Sequence, residues 1–195
     1  MAERTIDRRR ELVDAAVRVF ARNGFHRSRV GEIAEEAGVA HGLLYHYFRS
    51  KEDVLETIFR ETWSGLVAET LSIEATCDTL RAQLHRFARA YLGSWLVTPE
   101  VIRVLVREVA RSPEVGNRVD EIRELFVILQ RMIESARVRG EVREECDAQF
   151  AAWSIYGALE EVLTGWVLGQ LPAEADDVER AIATVVDVTY AGVAA

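Results

Sequence analysis

The stretch Ala-His-Gly-Leu-Leu-Tyr-His-Tyr-Phe-Arg-Ser-Lys-Glu-Asp-Val, residues 40–54, decides how this chain is interpreted. It brings together two histidines, two tyrosines, a phenylalanine and the only lysine of the sequence, directly after a glycine turn. A hydrophobic core has little use for so many polar tips, because each buried hydroxyl or imidazole needs a hydrogen-bond partner. The stretch therefore indicates a binding surface.

The residues before this stretch predict a second short helix. Apolar residues recur at helical spacing over residues 29–37, and Gly38 is suited to end that helix. Leu44 and Phe48 give the following helix an apolar side that packs on its own domain, while its other residues face outward. Two short helices joined by the turn at 37–40 match a helix-turn-helix, whose second helix lies in the major groove of DNA.

The rest of the chain also predicts helices, because no segment alternates apolar and polar residues with the period of a strand. Apolar spacing and capping signals predict about nine helices. The first helix ends at Asn23-Gly24, the second and third form the helix-turn-helix, and a capping box at Ser50 opens the fourth. The fifth covers residues 80–95, the sixth starts at Pro99, and the seventh runs from Pro113 to Gly140. The eighth covers residues 147–168 and the ninth residues 174–192. The predicted fold class is all-α, with a three-helix DNA-binding domain at residues 1–50 and a helical bundle at residues 51–195.

Charge is distributed unevenly along the chain. The net charge is −8 over 195 residues, yet residues 1–50 carry 9 Arg against 7 Asp plus Glu, a balance of +2. An acidic body with a locally basic tip is compatible with nucleic-acid binding at that tip, because charge interactions are screened within roughly 10 Å. Cys77 and Cys146 are too few for a disulfide framework or a zinc site and predict a reducing compartment. Without a signal peptide or a membrane-length apolar run, we expect a cytoplasmic protein with no membrane partner.

Three segments resemble the tetracycline-repressor (TetR) family of bacterial transcriptional regulators. They are Ala16-Val-Arg-Val-Phe-Ala-Arg-Asn-Gly-Phe25, Ile33-Ala-Glu-Glu-Ala-Gly-Val39 and Gly42-Leu-Leu-Tyr-His-Tyr-Phe-Arg-Ser-Lys-Glu-Asp-Val-Leu55. Together they are specific, whereas any generic helix-turn-helix could supply one of them. The resemblance implies a homodimer whose two DNA-binding domains reach successive major grooves of a palindromic operator, about 34–36 Å apart. It also implies a C-terminal domain that binds a small molecule and thereby releases the DNA.

The resemblance also assigns DNA-contacting positions. The base-facing positions are matched by His41, Gly42, Leu43 and His46. The phosphate-facing positions are matched by Tyr45, Tyr47 and Lys51. Arg29 stands where many relatives have a serine or threonine cap, and we expect it to contact a phosphate instead. For Tyr47, packing of the domain against the fourth helix is an equally good explanation.

The C-terminal part is rich in apolar and aromatic residues, which predict two features. Broad apolar faces on the last two helices predict a four-helix dimer interface, with Gly157 and Gly165 allowing close approach and an intrachain core as the alternative. The predicted interface residues are Tyr156, Leu159, Leu163, Trp166, Val178, Ile182 and Val185. A hydrophobic ligand cavity is predicted to be lined by Trp63, Tyr91, Trp95, Phe126, Leu129, Met132 and Trp153, residue types that are also typical of a core.

The effector is suggested by a narrower resemblance. Residues 155–167 and 24–30 are similar to the fatty-acid-degradation regulators of the family, which implies a hydrophobic effector, long-chain fatty acyl-coenzyme A. Arg103, Arg107 and Arg111 recur at helical spacing and are suited either to a solvated face or to an anionic headgroup. An uncharged drug or another hydrophobic molecule is the alternative effector.

An enzyme is not favoured by the sequence. None of the four histidines, His26, His41, His46 and His85, has a metal-site spacing, and no serine or cysteine has a recognisable catalytic partner. Glu160-Glu161, within an apolar helix, is better explained by interface ion pairs or a ligand contact than by catalysis. We therefore predict no catalytic residue, no metal site and no cofactor. A third class, an architectural DNA-binding protein, would have no ligand cavity.

Overall fold

The computed structural model describes residues 2–76, 78–108 and 119–195, without the side chains of residues 2–7 and 119–121. Cys77, Arg111 and the predicted helix start at Ser112-Pro113 lie outside the described residues. Within these ranges the chain forms nine helices. They are α1 (Ala2–Asn23), α2 (Val30–Glu36), α3 (His41–Tyr47), α4 (Lys51–Glu74), α5 (Leu80–Val97), α6 (Pro99–Glu108), α7 (Val119–Val138), α8 (Ala148–Val167) and α9 (Ala175–Val193). The all-α prediction is confirmed.

The chain divides into two compact units. An N-terminal unit comprises Met1–Thr62 and Pro99–Arg118, and a C-terminal unit comprises Trp63–Thr98 and Val119–Ala195. Helix α4 contributes its first half to one unit and its second half to the other. The functional division at residues 50 and 51 stays a prediction. None of the helices in the described ranges is long and apolar enough to cross a bilayer.

The caps of the helix-turn-helix follow the predicted signals with two differences in detail. Gly38 ends α2 with φ +65°, a left-handed conformation that suits glycine. Arg29 occupies the N-cap of α2, and its backbone N–H donates to the Glu32 carboxylate at 2.6 Å. Ser28, the serine directly before this position, does not cap α2 and donates its hydroxyl to the Gly24 carbonyl at 2.7 Å.

The start of α4 shows the second difference. The Ser50 hydroxyl accepts from the Asp53 backbone N–H at 3.3 Å, as a capping box requires. The Asp53 carboxylate accepts from the backbone N–H of Arg49, at 2.9 Å, one residue earlier than in the standard pattern. The turn between α3 and α4 is therefore held from both sides.

Helix α3 is seated on the core of the N-terminal unit. Leu44 has no exposed surface, and Phe48, which caps the helix in an extended conformation, is 2% exposed. The buried core of the N-terminal unit also includes Leu12, Ala16, Phe20, Ile33, Ala34, Leu55 and Phe59. Burial of one leucine and one phenylalanine contributes about 3–6 kcal/mol to the position of this short helix.

The C-terminal unit is a bundle in which α9 packs on α5 and α8 packs on α7. Arg89 of α5 makes two hydrogen bonds of 2.7 Å to the Glu179 carboxylate of α9. The backbone N–H of Leu80, at the start of α5, donates to the Glu141 carboxylate at 2.7 Å. These contacts join α5 to α9 and to the segment that follows α7.

Candidate nucleic-acid interface and ligand site

The outward face of α3 carries mainly imidazole and phenol side chains. His41, Gly42, Tyr45 and His46 are exposed, and Leu43 and Tyr47 are half-buried. Tyr45 is 54% exposed, which is unusual for a tyrosine with a core available beside it. All the residues predicted to face DNA on α3 therefore have surface to offer, and their contact with DNA stays a prediction.

The two imidazoles of α3 are oriented by their neighbours. A Cβ placed on Gly31 of α2 would lie 3.4 Å from Nδ1 of His41, so the His41 ring packs directly against that helix. The His41 and Tyr45 rings meet edge to face with centroids 5.8 Å apart, and those of His46 and Tyr47 do so at 5.0 Å. The exposed rings are thus partly preorganised for a flat partner.

A groove lies between the start of α2, α3 and the start of α4. Its lining includes Arg29, His41, Tyr45, Arg49 and Lys51. Arg29 and Arg49 are both exposed, and among the described residues neither guanidinium has an ion-pair partner. Arg49 was not among the predicted site residues, although it lies two positions before Lys51 in the opening stretch. Two available guanidiniums beside a phenol suit a phosphate backbone.

Lys51 has a different environment from these arginines. Its Nζ donates to the carbonyl oxygens of Phe25, His26 and Ser28 at 3.0, 3.2 and 3.2 Å. It also lies 4.6 Å from the centroid of the Phe25 ring. An ammonium has three N–H donors, so all of them are used within the protein. Lys51 ties the loop between α1 and α2 to the start of α4, and its predicted phosphate contact stays a prediction.

An ion-pair cluster fixes α2, which supports α3. The Glu36 carboxylate accepts from Arg18 Nε at 2.7 Å and from Arg22 Nη2 at 3.0 Å. These hydrogen bonds, to Arg18 first and then Arg22, lower the pKa of Glu36 below its usual value. The cluster joins the end of α2 to α1 across the surface of the unit.

The predicted ligand residues of the C-terminal unit are mostly buried. Trp63, Tyr91, Trp95, Phe126, Leu129 and Met132 are each 8% exposed or less. Trp153 is the exception at 55% exposed, and its ring stacks on Phe126 with centroids 4.1 Å apart and planes 10° apart. The aromatic wall continues from Phe126 to Tyr156 at 5.0 Å and from Tyr156 to Trp63 at 6.4 Å.

A polar cluster interrupts this aromatic interior. The Tyr91 hydroxyl donates to Oε2 of Glu160, and the Tyr156 hydroxyl lies 3.4 Å from the same oxygen. The two hydroxyl oxygens are 3.2 Å apart. Burial, and then the charges of neighbouring groups, raise the pKa values of both phenols well above the usual tyrosine value. Tyr91 and Tyr156 therefore remain protonated hydrogen-bond donors.

A surface groove between α7 and α8 opens beside this wall. The stacked Phe126 and Trp153 line it together with Arg123, Gln130 and Gln149, among other residues. The last three were not predicted, because single polar residues on an amphipathic helix have no distinguishing pattern in the sequence. Among the described residues, no three His, Cys, Asp or Glu side chains are grouped so as to hold a metal ion.

Two of the three predicted headgroup arginines, Arg103 and Arg107, lie on α6 of the N-terminal unit. Arg107 is exposed, and its Nη1 donates to the Ala21 carbonyl of α1 at 3.5 Å. Arg103 is half-buried. The aromatic residues predicted with them belong to the C-terminal unit, and binding of an anionic headgroup by these arginines stays a prediction.

Most of the predicted dimer residues lie in the core of the single chain. Leu159, Leu163, Trp166, Val178 and Ile182 are at most 5% exposed, while Tyr156 and Val185 are half-buried. The apolar residues that α8 and α9 expose are Phe150, at 72%, and Val188, at 68%, beside Trp153. The five buried residues therefore serve the protomer's own core, and their place in an interface stays a prediction.

The two glycines of α8, Gly157 and Gly165, differ in whether the same chain fills the space beside them. A Cβ on Gly165 would lie 2.9 Å from Cγ of Leu171, so the close approach at this glycine is made by the same chain. Gly157 is exposed, with open space where a Cβ would be. Only Gly157 retains the predicted freedom for a second helix.

Comparison with known proteins agrees with this fold and surface. Residues 12–58 match the bacterial regulatory proteins of the tetR family, and residues 59–185 match the C-terminal region of YsiA-like proteins. The chain is 30% identical over 160 residues to the fatty acid metabolism regulator protein of Bacillus subtilis (strain 168), covering 81% of this chain and 82% of the relative.

Two solved structures are similar over almost the whole chain. FadR from Bacillus subtilis, in complex with stearoyl-CoA, has a TM-score of 0.81, and the fatty acid degradation regulator FadR from Bacillus halodurans has one of 0.82. Each is 26% identical and covers 93% of this chain and 97% of its own. The helix-turn-helix with its exposed face, the helical C-terminal unit and these similarities lead to one conclusion: the chain belongs to the tetR family of bacterial regulatory proteins and is a DNA-binding transcriptional regulator.

Proposed function

We propose that the protein is a homodimeric repressor that binds a palindromic operator and is released by long-chain fatty acyl-CoA. In this proposal residues 1–50 bind DNA, and residues 51–195 bind the effector and the second subunit. The observation that carries the DNA-binding part is the exposed aromatic and imidazole face of α3, held by the buried Leu44. A helix seated on one side and polar on the other suits a major groove.

Within the DNA complex, the side chains of α3 have separate roles. His41 and His46 offer a donor and an acceptor to base edges, which distinguishes one base pair from another. Tyr45 and Tyr47 offer hydroxyl donors to phosphates, which set the register without reading the sequence. Arg29 and Arg49 add positive charge. Each phosphate contact is expected to steepen the slope of log affinity against log salt concentration by about 0.9.

The effector proposal rests on the interior of the C-terminal unit and on one relative. The buried aromatic wall from Trp63 to Phe126 suits an acyl chain, whose burial contributes about 0.8 kcal/mol per methylene. The similar FadR from Bacillus subtilis was solved with stearoyl-CoA. Arg103 and Arg107 are the proposed partners of the coenzyme A phosphates, since guanidinium binds phosphate through two hydrogen bonds.

The second subunit is proposed to cover the exposed faces of α8 and α9. Phe150 and Val188 are large apolar residues in solvent, and Gly157 leaves space for a close helix. We propose that a four-helix interface would bury these residues and the exposed parts of Tyr156 and Val185, which are half-buried in the single chain.

The test begins with an operator selected by the protein from random duplex DNA. Binding is followed by fluorescence anisotropy while palmitoyl-CoA is added, with free coenzyme A as the matched control. We expect palmitoyl-CoA to lower operator affinity at least tenfold and free coenzyme A to have no effect. An affinity that stays constant at saturating palmitoyl-CoA would contradict the proposed effector. Mass spectrometry of molecules that co-purify with the protein would then identify the effector class.

A further inference from the structure

Gly31 is an unusual residue for its position in α2. The helix has only seven residues, Val30–Glu36, and Gly31 is the second of them. Glycine is less favourable than alanine within a helix, because it loses more backbone freedom on folding. Gly31 does not have the positive φ of Gly38, so a residue with a side chain could adopt the same backbone conformation. The reason for a glycine at this position therefore lies outside the backbone of α2.

The space beside Gly31 is occupied by the ring of His41. A Cβ placed on Gly31 would lie 3.4 Å from Nδ1 and 3.5 Å from Cε1 of that ring. Nε2 of His41 is more than 4 Å from the same point. Gly31 and His41 also line the same groove between the starts of α2, α3 and α4. The first side chain of α3 thus lies against α2 with nothing between them.

Packing alone orients the His41 ring in the free protein. Among the described residues, no hydrogen bond holds either of its nitrogens. Tyr45, one turn later on α3, meets the ring edge to face with centroids 5.8 Å apart and planes 65° apart. The ring is therefore placed by two neighbours, the bare backbone at Gly31 and the phenol of Tyr45. A change in the shape of either neighbour changes the direction in which the imidazole points.

We infer that Gly31 is a positioning residue for sequence recognition: its missing side chain lets the His41 imidazole lie against α2, with Nε2 directed to a base edge. The inference rests on the proposed function, because it concerns the proposed contact of His41 with a base. An imidazole held in one orientation offers its outer nitrogen at one place, which distinguishes base pairs by their donors and acceptors. Gly31 acts on this choice only through His41, since it has no side chain to offer DNA.

Substitutions of increasing size at Gly31 should have graded effects. The Cβ of alanine would be in ordinary van der Waals contact with the ring, so Gly31→Ala should keep the orientation of His41. The two methyl carbons of valine lie beyond that Cβ and compete with the ring for space. We expect Gly31→Val to reduce base preference at the His41 position by about fivefold or more, the discrimination that one good side-chain contact provides. Both residues are more favourable than glycine within a helix, so neither should lower the unfolding temperature.

The test measures the affinity of the full chain for the selected operator and for duplexes with single base-pair changes. The proteins compared are wild type, Gly31→Ala, Gly31→Val, His41→Ala and the double variant Gly31→Val with His41→Ala. Gly93→Val is the matched control, because Gly93 is also a half-buried glycine within a helix but has open space where a Cβ would be. Thermal unfolding of each variant is recorded alongside.

His41→Ala should identify the operator position that His41 reads. At that position we expect Gly31→Val to lose about fivefold or more in preference, while Gly31→Ala and Gly93→Val stay within about twofold of wild type. In the His41→Ala background, Gly31→Val should cause no further change at that position. The inference would be overturned by any of three results: no effect of Gly31→Val, an effect that persists without His41, or an equal loss at every position.

A second measurement keeps the inference testable if Gly31→Val folds poorly. In Gly31→Ala, the introduced methyl carbon would lie 3.4–3.5 Å from the His41 ring, so a nuclear Overhauser effect between that methyl group and the ring proton on Cε1 is expected. Its absence would show that the ring does not lie against α2. The proposed function is tested separately by release with palmitoyl-CoA. Release with unchanged base preference in Gly31→Val would remove the inference alone, and the expected preferences without release would remove only the proposed effector.

Discussion

Replacing Lys51 with methionine is the most informative single change in the DNA-binding region. Methionine keeps most of the apolar stem and removes the ammonium, which donates to three backbone carbonyls of the loop between α1 and α2. Two roles make different predictions. A positioning role predicts a less stable N-terminal unit, and a phosphate contact predicts a weaker salt dependence of operator binding.

The structure allows the magnitude of each effect to be estimated. Hydrogen bonds from a charged donor are each worth about 1.5–3 kcal/mol, but the three here share one half-buried ammonium and are not additive. We therefore expect a loss of about 2 kcal/mol, or about 4–8 °C in the unfolding temperature of a chain of this size. A phosphate contact would instead remove about 0.9 from the slope of log affinity against log salt for each protomer, or about 1.8 for a dimer.

The assay combines thermal unfolding with operator titrations at four salt concentrations. We expect Lys51→Met to lower the unfolding temperature and to weaken operator binding by a similar factor at every salt concentration. Arg49→Met is the matched control, because Arg49 lies in the same groove, is exposed, and has no side-chain partner among the described residues. It should leave the unfolding temperature unchanged and reduce the salt slope by about 0.9 per protomer.

The opposite pattern would refute this reasoning. An unfolding temperature within about 1 °C of wild type, together with a slope reduced by about one unit per protomer, would show that the ammonium leaves the carbonyls to bind phosphate. The family-based expectation for Lys51 would then hold, and its contacts in the free protein would be only a resting arrangement.

Three further predictions concern other parts of the molecule. His46→Ala should change the preferred base at one operator position by about 1–3 kcal/mol while leaving other positions unaffected, as measured by selection from a randomised operator. Leu159→Ala should cost about 2–5 kcal/mol of unfolding free energy because Leu159 has no exposed surface, whereas Phe150→Ser should leave stability nearly unchanged and weaken subunit association in sedimentation experiments. The pKa of Glu36 is lowered in the folded state, so its contribution is complete above the unfolded value of 4.5 and is lost as the pH falls through the folded value. Glu36→Gln should therefore reduce stability at pH 7 and flatten its decline in acid, and an unchanged acid transition would contradict the ion-pair cluster.

Much of the DNA-binding unit could be predicted from the sequence. The caps at Gly38 and Ser50 act through residues that are close in the sequence, so they can be recognised from the sequence alone. The inward positions of Leu44 and Phe48 are confirmed for the same reason, since they follow from helical spacing. Once Leu44 and Phe48 point inward, the remaining side of α3 must be exposed.

The C-terminal unit was less accessible to sequence reasoning. An apolar stripe looks the same whether it is covered by its own chain or by a second one, so the sequence could not show that Leu159 and Ile182 are buried within the single chain. Gly165 shows the same ambiguity, because its missing Cβ accommodates Leu171 of the same chain. Both outcomes depend on how distant segments pack, which no local pattern records.

The amino-acid sequence by itself determined that this protein is all-helical, that residues 40–54 are suited to a binding face, and that the family is one of transcriptional regulators. Helical spacing, caps and composition suffice for the first two conclusions, because they are properties of neighbouring residues, and the third follows from the resemblance of three segments to the family. Only the tertiary structure decided that the Lys51 ammonium is used by the loop before α2, that Arg49 is available, and that Glu160 meets Tyr91 inside an aromatic wall. Those outcomes join residues 23 to 69 positions apart, and the partner of a charge is set by the folded packing rather than by its place in the chain.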